Sequence, residues 1–146
     1  MQLVKFAPEH VSEAAEIEKL CFSEPWSEAS LMMLAEGGYG TGIACVEDGR
    51  LVAYVGMVSV LDEGEIVNVA THPDYRRRGY GRAVIDEALK LARERGIMTL
   101  SLEVRESNTA ARALYESAGF IAVGKRAGFY SHPKEDAVIM TRTEVA

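Results

Sequence analysis

From Glu65 to Val104 the chain runs strand, glycine-rich bend, amphipathic helix, strand, and no other stretch restricts the fold as much. "EIVNVAT" reads as the first strand. In "RAVIDEALKLARERG", Ile85, Ala88, Leu89 and Ala92 fall at i, i+3, i+4 and i+7, a single apolar stripe, and Gly96 supplies the stop. "IMTLSLEV" is the second strand. Two strands joined through one helix by connections this short form a parallel pair with a right-handed crossover. Parallel strands usually have both faces covered, so the rest of the chain is expected to supply helices for both.

The flanking sequence fits that demand. "QLVKF" alternates as a strand. "PEHVSEAAEIEKLCF" follows as a helix, with Pro8 at its start and Ala14, Ile17 and Cys21 on one face. After a break, "SEASLMMLAE" is a second helix that Ser27 can cap. "IACV" and "LVAYVGMVSV" are strands joined through Asp48-Gly49, a hairpin signal. "DEG" is expected to turn the chain into the strand that begins at Glu65. Beyond the βαβ unit, "NTAARALYESAG" is a short helix capped by Asn108 and stopped by Gly119. "FIAVGK" and "DAVIMTR" close the chain as an antiparallel pair. The expected fold is α/β (α+β): one domain over residues 1–146, a mixed and mostly antiparallel sheet with a central parallel βαβ unit, flanked by helices.

Bulk properties narrow the function classes. The formal net charge is −6, which argues against general nucleic-acid binding and suits a basic substrate. No apolar run approaches the ~20 residues that span a bilayer, and "MQLVKFAPEH" lacks the pattern of a secretory signal. Cys21 and Cys45 are too few and too far apart for a disulfide framework or a metal site. Two idle thiols fit a reducing, cytoplasmic setting.

Against that acidic background, "HPDYRRRGYGRAV" places Arg76, Arg77, Arg78 and Arg82 within seven residues, around Gly79 and Gly81. The bend leads from a strand into the first turn of a helix. A helix N-terminus offers free N–H groups and the positive end of the dipole, and glycines let a ligand approach the backbone. Together they make a phosphate or pyrophosphate site. A Walker A loop is absent, and Val84 occupies the third small position of the dinucleotide fingerprint. A solvated basic turn is the bland alternative.

Three residues downstream invite chemistry. In "TLSLEVRESN", Thr99, Ser101 and Glu103 point away from Leu100, Leu102 and Val104. A mid-strand carboxylate in a covered sheet is either ion-paired or used as a base. Tyr115 lies on the apolar face of its helix, which by itself means core packing. Asn108 by itself is a helix cap.

"RRRGYG" is similar to the Arg/Gln-x-x-Gly-x-Gly/Ala motif of the GCN5-related N-acetyltransferases (the GNAT superfamily), and "VNVATHPDYR" resembles the strand and loop before that motif. "CFSEPWSEASL", "LEVRESNTAARALYESAGF" and "KRAGFYSHPKEDAVIM" resemble segments of its RimI-like branch, the bacterial ribosomal-protein-alanine N-acetyltransferases. The resemblance covers nearly the whole chain. It implies the GNAT fold and acetyl-CoA as co-substrate. Backbone amides of Arg77, Arg78, Gly79, Tyr80, Gly81 and Arg82 would hold its phosphates. The backbone of Val69, Ala70 and Thr71 would lie along the pantetheine arm and acetyl group, on a strand that splays from its neighbour. Glu103 would be the proton acceptor, Tyr115 the proton donor, and Asn108 a cofactor contact. The acceptor would be a protein N-terminus, the N-terminal alanine of small-subunit ribosomal protein eighteen, with no metal, direct nucleic-acid or membrane partner.

Two departures fall on the peptide side. The paired tyrosines common near the last hairpin read Phe129-Tyr130 here, which leaves Tyr130 as the candidate substrate contact. Leu31 stands where an aromatic is common. Rival readings are a lysine side chain or small-molecule amine as acceptor, a covalent route through Cys21 or Cys45, an acetyl-CoA sensor without turnover, and a nucleic-acid module.

Overall fold

The computed structural model describes residues 1–145. The chain runs β1 (Gln2–Lys5), α1 (Val11–Cys21), α2 (Glu28–Glu36), β2 (Gly40–Glu47), β3 (Arg50–Val60), β4 (Glu63–Thr71), α3 (Tyr80–Glu94), β5 (Thr99–Arg105), α4 (Thr109–Ser117), β6 (Ile121–Tyr130) and β7 (Glu135–Arg142). Short 3-10 turns at Pro8–His10 and Pro73–Tyr75 precede α1 and α3. Pro8 therefore opens the 3-10 turn, and α1 itself begins at Val11.

The seven strands form one sheet in the order β1-β2-β3-β4-β5-β7-β6. Every pairing is antiparallel except β4–β5, at the centre. The expected mixed sheet with one parallel βαβ unit is therefore present. The last hairpin docks on β5 through its second strand, β7, which leaves β6 as the edge.

Local chemistry explains the elements. Asp48 (φ 51°) and Gly49 (φ 77°) both take left-handed conformations, the requirement of a tight two-residue hairpin. The next turn differs from expectation. It is Leu61-Asp62, and β4 begins at Glu63, so Glu63 and Gly64 of "DEG" already lie in the strand. Ser27 and Asn108 accept hydrogen bonds from Ser30 N–H (3.2 Å) and Ala111 N–H (3.1 Å), capping α2 and α4 as their residue types predict.

Two cores flank the sheet. One packs Val84, Ile85, Ala88 and Leu89 of α3, Tyr115 of α4 and Ala118 just after it on Val55, Leu100, Leu102 and Met140. The other packs Ala14 and Ile17 of α1 and Leu31 and Leu34 of α2 on Ala44, Tyr54 and Ala70. The second layer covers β2–β4 only. Beyond β4 the same face of the sheet is a groove, so the expectation of two covered faces fails at β5.

Candidate active site

β4 and β5 pair over three rungs only, Glu63–Thr99, Gly64–Leu100 and Glu65–Ser101. From Ile66 to Thr71, β4 keeps its bonds to β3 and, among the described residues, has no strand partner on the other edge. The register explains the parting. Gly56 faces Asn68 while the next rung joins Met57 to Ile66, so Val67 is an extra residue in β4, and a bulge bends the strand that carries it. Val69, Ala70 and Thr71 thus lie on a free strand edge, beside the cleft that opens between β4 and β5.

At the end of that cleft is the arginine-glycine bend. Arg77 (φ 64°) and Gly79 (φ 84°) both take left-handed backbone, which turns the chain sharply into α3. Unlike α2 and α4, α3 has no side-chain cap, because its N-cap is Gly79. Its first intrahelical bond is Ala83 N–H to Gly79 C=O (3.0 Å), which leaves the amides of Tyr80, Gly81 and Arg82 free of helical partners. A Cβ on Gly81 would meet Leu114 at 3.3 Å and Thr71 Oγ1 at 3.6 Å, so this turn lies close against the end of β4 and α4. A phosphate-bearing ligand with a long thin arm fits such a bend and a strand edge with open hydrogen-bonding groups.

The four arginines divide by role. Arg76 Nη2 donates to Cys21 Sγ (3.4 Å), and Cys21 Sγ in turn donates to Thr71 C=O (3.4 Å). Arg78 stacks over the Tyr75 ring at 5.3 Å. Arg82 holds Asp86 (2.8 Å) and Ser117 (2.8 Å). Among the described residues Arg77 makes no ion pair or stacking contact, so its guanidinium is the one left for a ligand. Tyr80 Oη donates to Glu47 (3.3 Å), which fixes the ring to β2.

The carboxylate side of the site lies on the open face. Glu103, Glu65, Arg126, Ser101, Ile139 and Tyr39 line a groove of about 550 Å³. Glu103 has a side chain only 18% exposed and an ion pair with Arg126 at 3.1 Å. Arg126 reaches it across a low part of β7 and β6, because Ala137 stands opposite Arg126 and Gly124 opposite Ile139. Burial first, and then the charge of Glu103, push the Glu65 carboxyl up from its usual range.

Tyr115 is buried, edge-on to Phe120 at 6.1 Å. Its hydroxyl has no hydrogen-bond partner among the described residues. Burial, with a smaller effect of Tyr130, pushes it well above the usual tyrosine range, so it stays protonated and keeps a proton to donate. Tyr130 joins the two sides. Burial and the charge of Glu103 raise it, the Arg105 guanidinium stacks over its ring at 4.5 Å, and Tyr115 senses it electrostatically. Glu103, Tyr130 and Tyr115 therefore share one neighbourhood, while no direct hydrogen bond joins Glu103 to Tyr115 among the described residues. Asn108 is spent on its cap through Oδ1. It sits one loop past β5, at the same end of the sheet as the arginine-glycine bend.

Sequence reasoning missed three participants. Glu65 and Arg126 carried no motif. The third is a bridge to the β6–β7 turn, where Glu24, between α1 and α2, accepts from the Ser131 hydroxyl and pairs with His132 Nδ1 (2.9 Å). Both cysteines are pushed up by burial, away from the thiolate that a nucleophile needs. A separate concavity of about 430 Å³, between Arg82, Gly119, Ile121 and Arg142, holds no carboxylate or other general base.

A sheet split after three parallel rungs, an uncapped helix at the split and a carboxylate groove behind it define an acyl-transfer scaffold, and residues 11–120 match the model of the acetyltransferase (GNAT) family: the chain belongs to that family. Within it, the chain is similar to the ribosomal protein bS18-alanine N-acetyltransferase of Escherichia coli K12, 39% identical over 129 residues, 87% of this chain and 86% of that protein. The protein of the same name from Haemophilus influenzae is 35% identical over 128 residues, 86% of each chain. The crystal structure of the Escherichia coli S18-alanine enzyme superposes with a TM-score of 0.90 at 34% identity, covering 98% of this chain and 93% of that one. Arabidopsis thaliana NAA60, solved with acetyl-CoA, shares the fold at a TM-score of 0.87 and 19% identity, over 97% of both chains.

Proposed function

We propose that this acyltransferase moves an acetyl group from acetyl-CoA to the α-amino group of a protein N-terminus, the N-terminal alanine of ribosomal protein bS18. One coincidence carries the reading. The chain matches bS18-alanine acetyltransferases over nearly its whole length, and it keeps a single ion-paired carboxylate, Glu103, beside the split in the sheet. A ribosomal acceptor would put the enzyme in the cytoplasm.

Acetyl-CoA, when bound, supplies the thioester whose acetyl group is transferred. The free amides of Tyr80, Gly81 and Arg82 would hold its phosphates, helped by the unengaged guanidinium of Arg77 and the backbone of Arg78 and Gly79. The open edge of β4 at Val69, Ala70 and Thr71 would take the arm, and its N–H groups offer donors to a developing oxyanion. Asn108 keeps its amide nitrogen for the same ligand.

The α-amine, with a pKa of about 8, enters largely protonated at neutral pH. The Glu103 carboxylate, on the groove side, removes that proton, and the nitrogen lone pair is then free to attack. Tyr115 stands with its proton retained by burial; it would give that proton to the departing sulfur and recover one, directly or through water, from the nitrogen as the amide forms. Tyr130, between the two, contacts the peptide.

The test is a panel of peptides offered with acetyl-CoA: the bS18 N-terminus, the same peptide with other first residues, and peptides whose only amine is a lysine. Mass spectrometry locates the acetyl group. Acetylation on the α-nitrogen of the bS18 peptide is expected. Acetylation confined to lysine, or to a polyamine or aminoglycoside control, refutes the acceptor and keeps the acetyl transfer.

A further inference from the structure

Glu65 occupies the last rung that joins β4 to β5, where the cleft begins. Its rung partner is Ser101, and Ser101 and Glu103 share one face of β5, so Glu65 and Glu103 address the same groove from the two strands that part there. The opposite face is taken by Ile66 and Leu102, both in the α3–α4 core. Arg126 faces the pair from β6 and bonds to Glu103. Asp62 and Glu63, at the rim, add two further carboxylates and no cation. The groove thus holds four carboxylates against one guanidinium, and that guanidinium is a surface side chain 58% exposed.

We propose that Glu65 is a second carboxylate of the acceptor site, which with Glu103 brackets the incoming α-ammonium group and takes it in exchange for Arg126. The proposal rests on the N-terminal acetyltransferase reading. Its physical basis is substitution of one cation for another. In the free enzyme Arg126 neutralises Glu103. An arriving ammonium is smaller, fits between the two strands and meets two carboxylates, whereas Arg126 has a route outward over the Gly124–Ala137 gap, where it already lies 5.9 Å from the Phe129 ring. Glu103 then takes the proton, and Glu65 keeps its charge and holds the amine in place. Desolvation first and the neighbouring Glu103 charge second raise the proton affinity of Glu65 in the free enzyme, and Arg126 acts in the opposite direction; an ammonium held between the strands acts as Arg126 does and keeps Glu65 ionised. Glu65 is thus a specificity-determining residue, felt in binding of the acceptor more than in turnover.

The test compares wild type, Glu65→Gln and Glu65→Asp with an alanine-initiated bS18 peptide. Glu65→Gln is expected to raise the peptide KM about tenfold, the size of one half-screened charge contact, with kcat and the acetyl-CoA KM within twofold of wild type. Glu65→Asp should recover most of the affinity. A second measurement uses calorimetry on the CoA-loaded enzyme with the free-amine peptide and its desamino analogue. Wild type should prefer the amine, and Glu65→Gln should narrow that preference by weakening only the amine, with Glu103 still in place. Equal weakening of both peptides would make Glu65 structural and overturn the proposal, as would an unchanged peptide KM. If wild type acetylates no N-terminus at all, the reading beneath it fails instead.

Discussion

Replacing Glu103 by glutamine separates a base from a structural ion pair. The substitution keeps the shape of the side chain and removes its charge, so its structural cost is the loss of one bond to Arg126. Arg126 is 58% exposed and rehydrates once released. A pair with one partner in water contributes at most about 1 kcal/mol. For a chain of this size that is a fall in Tm of about 3 °C. A general base contributes about 10²–10⁴ in rate, or roughly 3–5 kcal/mol. The two effects differ in size by several kcal/mol and appear in different measurements. Steady-state rates with acetyl-CoA and the bS18 peptide varied independently should show kcat down at least a hundredfold, with the acetyl-CoA KM unchanged because Glu103 lies on the peptide side. Thermal melting should move by no more than those few degrees. A variant that keeps turnover within threefold, or loses acetyl-CoA affinity in step with kcat, would refute the assignment of Glu103 as proton acceptor.

Three further outcomes are expected. Tyr115→Phe should slow turnover about tenfold or more and leave the melting temperature nearly unchanged, since the hydroxyl has no partner to lose among the described residues; rapid-quench turnover with circular dichroism checks both. Arg77→Ala should raise the acetyl-CoA KM severalfold at low salt and less at high salt, while Arg76→Ala and Arg78→Ala, whose guanidiniums already have partners, change it less; a salt series of initial rates decides. Stability should fall as pH rises past about 10, where unfolded tyrosines ionise. Burial raises Tyr54 and Tyr115 in the fold, so their contribution is complete below the unfolded value and is lost toward the higher folded ones. Melting curves from pH 8 to 11 check it, and Tyr115→Phe should flatten the loss.

Much of the fold was legible because local signals and global pattern agreed. The Asp48-Gly49 hairpin, the α3 stripe, the two side-chain caps and the glycine stops each have a short-range cause, and the one βαβ unit left little freedom for the centre of the sheet. The turn after β3 misled because "DEG" reads as a breaker, whereas the chain turns at Leu61, an exposed leucine held at φ 56°. Such a turn residue gives no signal in composition. Covering of both sheet faces was over-read for the same sort of reason. The rule for parallel strands applies to a run of them, and here only three rungs are parallel.

The site shows where one-dimensional reasoning stops. Glu103 and Tyr115 announced themselves by alternation, by helical spacing and by resemblance to a family. Glu65 shows itself only through its rungs with Val58 and Ser101, and Arg126 depends on a bulge, which shifts register by one and exchanges faces. In β6 the extra residue is Val123, since Ala122 pairs with Met140 and Gly124 with Ile139. Without it, Lys125 would stand opposite Ala137 and face the groove, and Arg126 would turn to the other side. The guanidinium rather than the ammonium meets Glu103 because of one unpaired valine. In β4, the unpaired Val67 puts Val67 and Asn68 on the α1–α2 side together, so that Asn68 Nδ2 reaches the buried Glu18 (3.2 Å), and it bends the strand where the cleft opens. Each bulge falls at a valine, Val67 in β4 and Val123 in β6, a residue type that reads as regular strand. Arg126, in the proposed acceptor groove, is thus placed by an irregularity that alternation hides, and engineering of acceptor choice should begin with the strand registers that aim the charged side chains.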